Sequence, residues 1–311
     1  MELAARDRYI DFLRAASILV VVLGHWLMAV VTLSGSRIVV GNLIADVDGL
    51  WAATWALQVM PVFFVVGGFA NATTLSGGDL AYATFVRRRM RRLLTPVWVL
   101  LAVWLRPLVA LVQALHLVRT DDLAQSAIVV TQLLWFVGVY ALVIAPAPWM
   151  LRLHRRFGVR VLAVLGGAVA LVDILRFRFG VPIDSVLNFA LVWGFIHQLG
   201  CATRMGRSIA SAPCARRRGC RRAGRPDAAH EPGPYPRSMV GMPGAPVSNM
   251  NPPNLWADRR DGVAAGGVAR ATTPIERWLA RARPWRGVVA VNRRIMTILL
   301  WHARPRCCWR R

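Results

Sequence analysis

The sequence predicts an all-α protein built as a polytopic transmembrane helix bundle, and three observations lead to this fold class. Hydrophobic residues make up 56% of the 311 residues against 17% charged residues, and the mean hydropathy is +0.45. This composition is unlike that of a disordered chain. Six apolar stretches are each long enough to cross a bilayer of about 30 Å as a helix. Arginines alternate between the connecting segments, as they do in multi-span membrane proteins.

The six apolar stretches define the predicted elements in chain order. They lie near 9–31, 50–70, 95–115, 127–149, 159–175 and 183–203. Arginines precede the first, third and fifth stretches, whereas the loops between them carry few. Positively charged loops stay in the cytoplasm, so we expect a cytoplasmic N-terminus. Residues 1–203 are therefore predicted to form a transmembrane core in the plasma membrane.

The chain changes in character after residue 203. Residues 204–271 are rich in Arg, Gly, Ala and Pro without periodicity, and residues 272–311 regain an apolar, helix-like pattern before a basic tail. A solvated basic or nucleic-acid-binding arm is one explanation. The other is a segment read out of frame in a GC-rich gene, with lost spans replaced by arginine-rich blocks. The charge alternation favours the second explanation, so we expect no nucleic-acid partner.

Neither secretion nor metal binding is indicated by the sequence. The first apolar run is followed by no convincing cleavage site, which favours an uncleaved span over a signal peptide. The five cysteines form no C-x-x-C pair and have no histidine at zinc spacing. We therefore expect neither a disulfide framework nor a metal site.

Two ionisable residues of the first span, Arg14 and His25, are eleven positions apart. At 100° per residue this spacing places both side chains on one helix face, about 16 Å apart along the axis. An ionisable side chain within a span is costly and usually faces a bundle interior. A neutral imidazole there can act as a general base. The alternative is a structural histidine that is hydrogen-bonded to a neighbouring helix.

Five arginines lie at the cytoplasmic mouth of the third span, in the sequence FVRRRMRRLLTPVW. Planar guanidinium groups suit the phosphates of a nucleotide-bearing donor, so Arg88, Arg89 and Arg92 are candidate donor-binding residues. The alternative is a topology signal in contact with anionic lipid. Arg106 lies inside the third span, where it could stabilise anionic charge in a cavity or pair with an acidic residue of another span.

These motifs resemble those of the membrane-bound acyltransferase 3 family. DFLR followed by His25 resembles the Arg-x10-His signature, and MPVFFVVGGF at 60–69 resembles the Phe-Phe-x-x-Ser-Gly segment, with Gly67 where serine is commoner. RRMRRLLTP at 88–96 resembles the Arg-x-x-Arg-Leu-x-Pro motif, with one extra residue before Pro96. Further family-like spans lie at 133–140, 188–200 and 296–302.

The resemblance implies a bundle of about ten transmembrane helices, so that one or more spans near the C-terminus are missing from this chain. It also implies transfer of an acyl group from acyl-CoA, with no bound cofactor, to a cell-surface glycan, lipid or similar acceptor. His25 would serve as the base or as a transient acyl carrier. Arg14 and the cluster of Arg88, Arg89 and Arg92 would bind the phosphates of the donor.

Two other functions stay open on the residues alone. In a multi-span transporter or flippase, His25 and Arg106 would line a permeation path without acyl-transfer chemistry. A membrane anchor with a basic cytoplasmic arm is the third interpretation. Consumption of acyl-CoA by the purified protein separates the enzyme from both, and salt-dependent nucleic-acid binding would favour the anchor.

Overall fold

The computed structural model of the chain describes residues 7–34, 37–42, 47, 49–77, 81–105, 110, 134–179, 185–205 and 272–302. Most of these residues are helical. In chain order the helices are α1 (Arg8–Met28), α2 (Trp51–Leu57), α3 (Met60–Ser76), α4 (Tyr82–Leu100), α5 (Leu134–Ile144), α6 (Ala147–Phe157), α7 (Arg160–Phe179), α8 (Ser185–Arg204), α9 (Thr272–Leu279), α10 (Ala282–Arg293) and α11 (Ile295–Trp301). A π-helical turn, Leu101–Leu105, continues α4.

A β-hairpin follows α1 directly. Strand β1 (Ala29–Ser34) pairs antiparallel with β2 (Arg37–Asn42), from the pair Ala29 and Asn42 to the pair Ser34 and Arg37. The sequence interpretation had assigned the start of β1 to the end of the first span. Its β-branched residues suit a strand as well as an apolar helix, which explains the difference. The all-α prediction therefore holds for the bundle, with this hairpin as an addition within the described residues.

Helices α3 and α8 form the centre of the bundle, where two glycines let their backbones touch. A Cβ atom at Gly68 would collide with the carbonyl group of His197, and one at Gly200 would collide with the carbonyl group of Val65. Small residues at a crossing allow this close approach, as in many membrane helix pairs. The two helices run in the same direction, because Phe64 stacks on Trp193 near their first halves.

An aromatic cluster fills the core beside this crossing. Phe64 and Trp193 are stacked with their ring centroids 4.4 Å apart. Phe63, Phe136 and Tyr140 surround them through edge contacts and one further stack. Offset and edge-to-face aromatic pairs each add about 0.5–1.5 kcal/mol beyond the area that they bury. This cluster fixes α3, α5 and α8 against one another.

The C-terminal helices cover one side of α1. The Arg8 guanidinium donates to the carbonyl oxygen of Leu279 at 3.0 Å, and the Asn292 amide donates to the carbonyl oxygen of Asp11 at 2.7 Å. Ala15 packs with Leu279 in a small buried cluster of its own. Helix α11 lies between α1 and α4. The helix-like pattern that the sequence regains at residue 272 thus coincides with the start of α9.

The six predicted apolar stretches each fall wholly or partly on a helix, but only some of these helices pass a test for span length and apolarity. Within the part of the chain that the structure describes, Arg8–Trp26 passes by itself, with a mean hydropathy of 1.4. Helices α5 and α6 pass together as a pair bent by 48°, and α3 is apolar but shorter. Asp173 and Arg176 make α7 more polar than a simple span. By length and composition, the described residues thus hold one helix that could cross a membrane, or two if the bent pair is one span, against the six predicted.

Candidate active site

Arginines from three helices gather at one end of the bundle, which we call the basic end. Its members are Arg88, Arg89 and Arg92 of α4, Arg155 of α6 and Arg204 of α8. The last turn of α3 connects them. Arg155 donates to the Ser76 hydroxyl at 3.2 Å, Arg204 donates to the Thr73 hydroxyl at 3.0 Å, and Arg89 donates to the Thr74 hydroxyl at 2.9 Å.

Two clefts open between the arginines of the basic end. The larger, about 410 Å³, is lined by Thr84, Arg87, Arg88, Arg91 and Arg92. The smaller, about 150 Å³, is lined by Thr74, Phe85, Arg88, Arg89 and Arg92. Arg88 and Arg92 line both clefts and are exposed. Guanidinium groups arranged around a cleft can bind phosphate in a bidentate manner, so this surface suits a polyanionic ligand.

Arg89 differs from its two neighbours because it is directed into the bundle. Its guanidinium lies 5.6 Å from the ring centroid of Phe85 and is half-buried. Burial lowers the pKa of Arg89, and the positive charges of nearby arginines, including Arg14 of α1, lower it further. Arg14 is therefore close enough to add to the positive charge around Arg89. An anion bound there would relieve the repulsion among these cations.

His25 lies further along α1 and is paired with His302, which follows the last residue of α11. The His25 Nδ1 atom is 2.7 Å from the His302 Nε2 atom. The ring centroids are 4.9 Å apart and the ring planes differ by 19°. The Trp26 indole donates to the backbone carbonyl of His302 at 3.1 Å, which fixes the end of α11 on α1. Both histidines are thus held by contacts between two helices.

The predicted site residues therefore fall into two places joined by α1. Because α1 is continuous from Arg8 to Met28, the spacing between Arg14 and His25 is about 16 Å along its axis. Arg14 lies beside the basic end and His25 lies at the histidine pair. Arg106, the third candidate that was predicted to lie within a span, falls outside the described residues.

The structure also holds a buried polar cluster that the sequence interpretation missed. Asn71 of α3 and His197 of α8 approach to 3.0 Å between the amide nitrogen and Nε2. The Cys201 thiol lies 3.5 Å from the carbonyl oxygen of Gly68, to which it donates. A second buried polar pair joins α8 to α7, where the Asn188 amide donates to the Asp173 carboxylate at 3.2 Å. Buried polar pairs of this kind fix helices in one register within an apolar bundle.

Metal ligation finds no support among the residues that the structure describes. No group of three or more His, Cys, Asp or Glu side chains there could hold a metal ion. A neutral histidine pair can take part in proton transfer and hydrogen bonding.

A helical bundle in which arginines line two clefts at one end, and a histidine pair joins α1 to the end of α11, has the features of a protein that can hold a charged substrate and move a proton. The family model described as an acyltransferase domain matches residues 7–200, more than half of the chain. The chain belongs to this family, acyltransferase 3, and the resemblance seen in its motifs is confirmed. No curated protein and no solved structure matched the chain. The family assigns it to the transferases, and its members are typically embedded in membranes.

Proposed function

We propose that the protein is an integral membrane acyltransferase that moves an acyl group from acyl-CoA to a hydroxyl group of a cell-surface glycan, lipid or similar acceptor. Its N-terminus and basic end would face the cytoplasm of the plasma membrane, where acyl-CoA is found. The acceptor would enter from the side of the histidine pair. The observation that carries the proposal is the presence, in one bundle, of arginine-lined clefts and of a half-buried histidine that is hydrogen-bonded to a second helix.

The geometry of α1 fits the shape of the donor. In acyl-CoA an extended pantetheine arm separates the phosphates from the reactive thioester. In this protein about 16 Å of helix separates Arg14, beside the basic end, from His25. Arg88 and Arg92 line both clefts, so they are the residues that we expect to contact the phosphates first. Arg89 is held next to them by the hydrogen bond that it donates to the Thr74 hydroxyl of α3.

The reaction requires a base for the acceptor hydroxyl. We expect the unprotonated nitrogen of His25 to take the hydroxyl proton as the oxygen attacks the thioester carbonyl. The carbon–sulfur bond then breaks, and the imidazolium returns the proton to the departing thiolate of CoA. General-base assistance of this kind contributes about 10² to 10⁴ in rate. The imidazole must be neutral before the reaction, because only the neutral form can accept the proton.

The test is acyl transfer from radiolabelled acyl-CoA by membranes that contain equal amounts of each variant. His25→Ala should reduce kcat by about 10²-fold or more. Leu23→Ala, an exposed position on the same helix, is the matched control and should behave like the parent chain. Arg14→Ala should instead raise KM for acyl-CoA, because its expected partner is a phosphate and not the reacting carbon.

Two results would overturn the proposal. A His25→Ala protein with the parental rate would leave the histidine as a packed, hydrogen-bonded group. A parent protein that moves lipid or glycan across vesicles without consuming acyl-CoA would establish the transporter interpretation instead.

A further inference from the structure

The hydrogen bonds of His302 determine which nitrogen of His25 carries hydrogen. His302 Nδ1 lies 2.6 Å from the carbonyl oxygen of Leu299. A carbonyl oxygen only accepts, so in a neutral His302 Nδ1 is the donor and Nε2 holds the lone pair. His25 Nδ1 lies 2.7 Å from that Nε2 and must therefore donate to it. The remaining nitrogen of His25, Nε2, is left with a lone pair.

His302 is itself held firmly in place. It is 9% exposed, and the two residues before Trp301, Leu299 and Leu300, are buried in the main hydrophobic core at 3% exposure each. The indole of Trp26 holds its backbone carbonyl from α1. A side chain that is held in this way can orient its hydrogen-bond partner. The residue that orients the base beside a catalytic nucleophile acts in the same manner.

We propose that His302 is a positioning residue for His25: it holds the His25 ring in the tautomer and orientation that present Nε2 as the base. This inference rests on the proposed function, in which His25 takes the acceptor proton. A neutral imidazole that is anchored to a backbone carbonyl here takes the place that a carboxylate often occupies beside a catalytic histidine. His302 touches neither substrate in this scheme, and the proton of His25 Nδ1 stays between the two rings throughout.

The alternative is that the pair only docks α11 onto α1, and two substitutions separate the possibilities. The amide oxygen of His302→Gln can reach the place of the ring Nε2 atom, whereas the shorter side chain of His302→Asn reaches only the place of Nδ1. We expect His302→Gln to keep kcat within about fivefold of the parent and His302→Asn to lose about 10²-fold, with KM for acyl-CoA unchanged in both. Equal loss in both variants at matched membrane levels, or no loss in either, overturns the proposal.

A measurement that does not depend on turnover keeps the inference separate from the proposed function. In protein with ¹⁵N-labelled histidine, reconstituted in nanodiscs, nitrogen NMR distinguishes a protonated from a bare ring nitrogen. We expect His25 in the parent to carry hydrogen on Nδ1, and His302→Leu to release it to the Nε2 tautomer. A parental His25 with hydrogen on Nε2, or an unchanged tautomer in His302→Leu, overturns the proposal. An active His25→Ala protein would refute the proposed function alone, whatever the tautomer.

Discussion

The contact between α3 and α8 gives the sharpest prediction for stability, through the substitution Gly200→Ala. A Cβ atom at this position would collide with the carbonyl group of Val65 and lie 2.9 Å from the backbone nitrogen of Phe69. Both obstacles are backbone atoms, so no rotamer change can make room. The two helices must move apart, and the stacked rings of Phe64 and Trp193 beside the crossing must follow.

The size of the effect follows from a comparison with Gly194 on the same helix, where an added Cβ meets nothing within 4 Å. Replacing glycine by alanine inside a helix gains about 1 kcal/mol of propensity at either position. The difference between the two variants therefore isolates the steric cost. Overpacking costs about 1–3 kcal/mol, and a clash with backbone belongs at the upper end of that range. We expect Gly200→Ala to be about 3 kcal/mol less stable than Gly194→Ala.

The assay is thermal unfolding in detergent micelles, followed by far-ultraviolet circular dichroism. A difference of about 3 kcal/mol corresponds to a Tm that is roughly 6–12 °C lower for Gly200→Ala. Gly194→Ala should unfold at or slightly above the temperature of the parent. If the two variants unfold at the same temperature, the backbones do not meet at this crossing and the reasoning fails.

Three further predictions concern topology, gene sequence and donor binding. Reporter fusions after Ala72 and after Leu117 should localise to opposite sides of the membrane because arginine-rich loops stay inside, and signals from one side would contradict the assignment. Translation of codons 204–272 in the other frames should reveal two apolar runs of about twenty residues, and their absence would make the basic segment a true feature. Arg92→Gln should raise KM for acyl-CoA in transfer assays, whereas Arg178→Gln, near the end of α7, should not; equal effects would refute the basic end as the donor site.

The helix positions and residue spacings that depend on local periodicity could be predicted from the sequence. The eleven-residue spacing of Arg14 and His25 needs only a continuous helix, and α1 supplies it. The arginines of 87–92 were expected beside the third span, and they lie on the first half of α4, before Pro96. The helix-like pattern that resumes at residue 272 is also a local feature, and α9 begins there.

The sequence could not predict the contacts that give these residues their surroundings. His25 and His302 are 277 positions apart, and no local pattern connects them. The approach of Asn71 to His197 depends in the same way on how α3 meets α8. The hairpin after α1 was missed for a different reason, since its valine- and leucine-containing first strand has the composition of a helix end in a bilayer.

Several polar groups on α8 are covered by the bundle. Asn188, His197 and Gln198 are all at most 2% exposed, so they face the bundle and not its surroundings. Partners inside the bundle satisfy at least part of their hydrogen bonding. Helices that assemble with several others can carry such residues, because their polar faces are covered before lipid can contact them.

Under the proposed function, the histidine pair gives the C-terminal helices a role that the family match alone does not indicate. The match ends at residue 200, yet His302 lies beyond it and contacts the very residue on which the proposed chemistry depends. Helices α9 and α10 cover the first half of α1, and α11 brings His302 to its second half. Whatever the origin of residues 204–271, the segment that follows them completes the surroundings of α1.

A chain cut after α8 would retain Arg14 and the basic end but leave His25 without the partner that fixes its tautomer. It should therefore still bind acyl-CoA while losing transfer, and loss of donor binding on the same cut would show that α9 to α11 support the whole of α1 rather than its histidine.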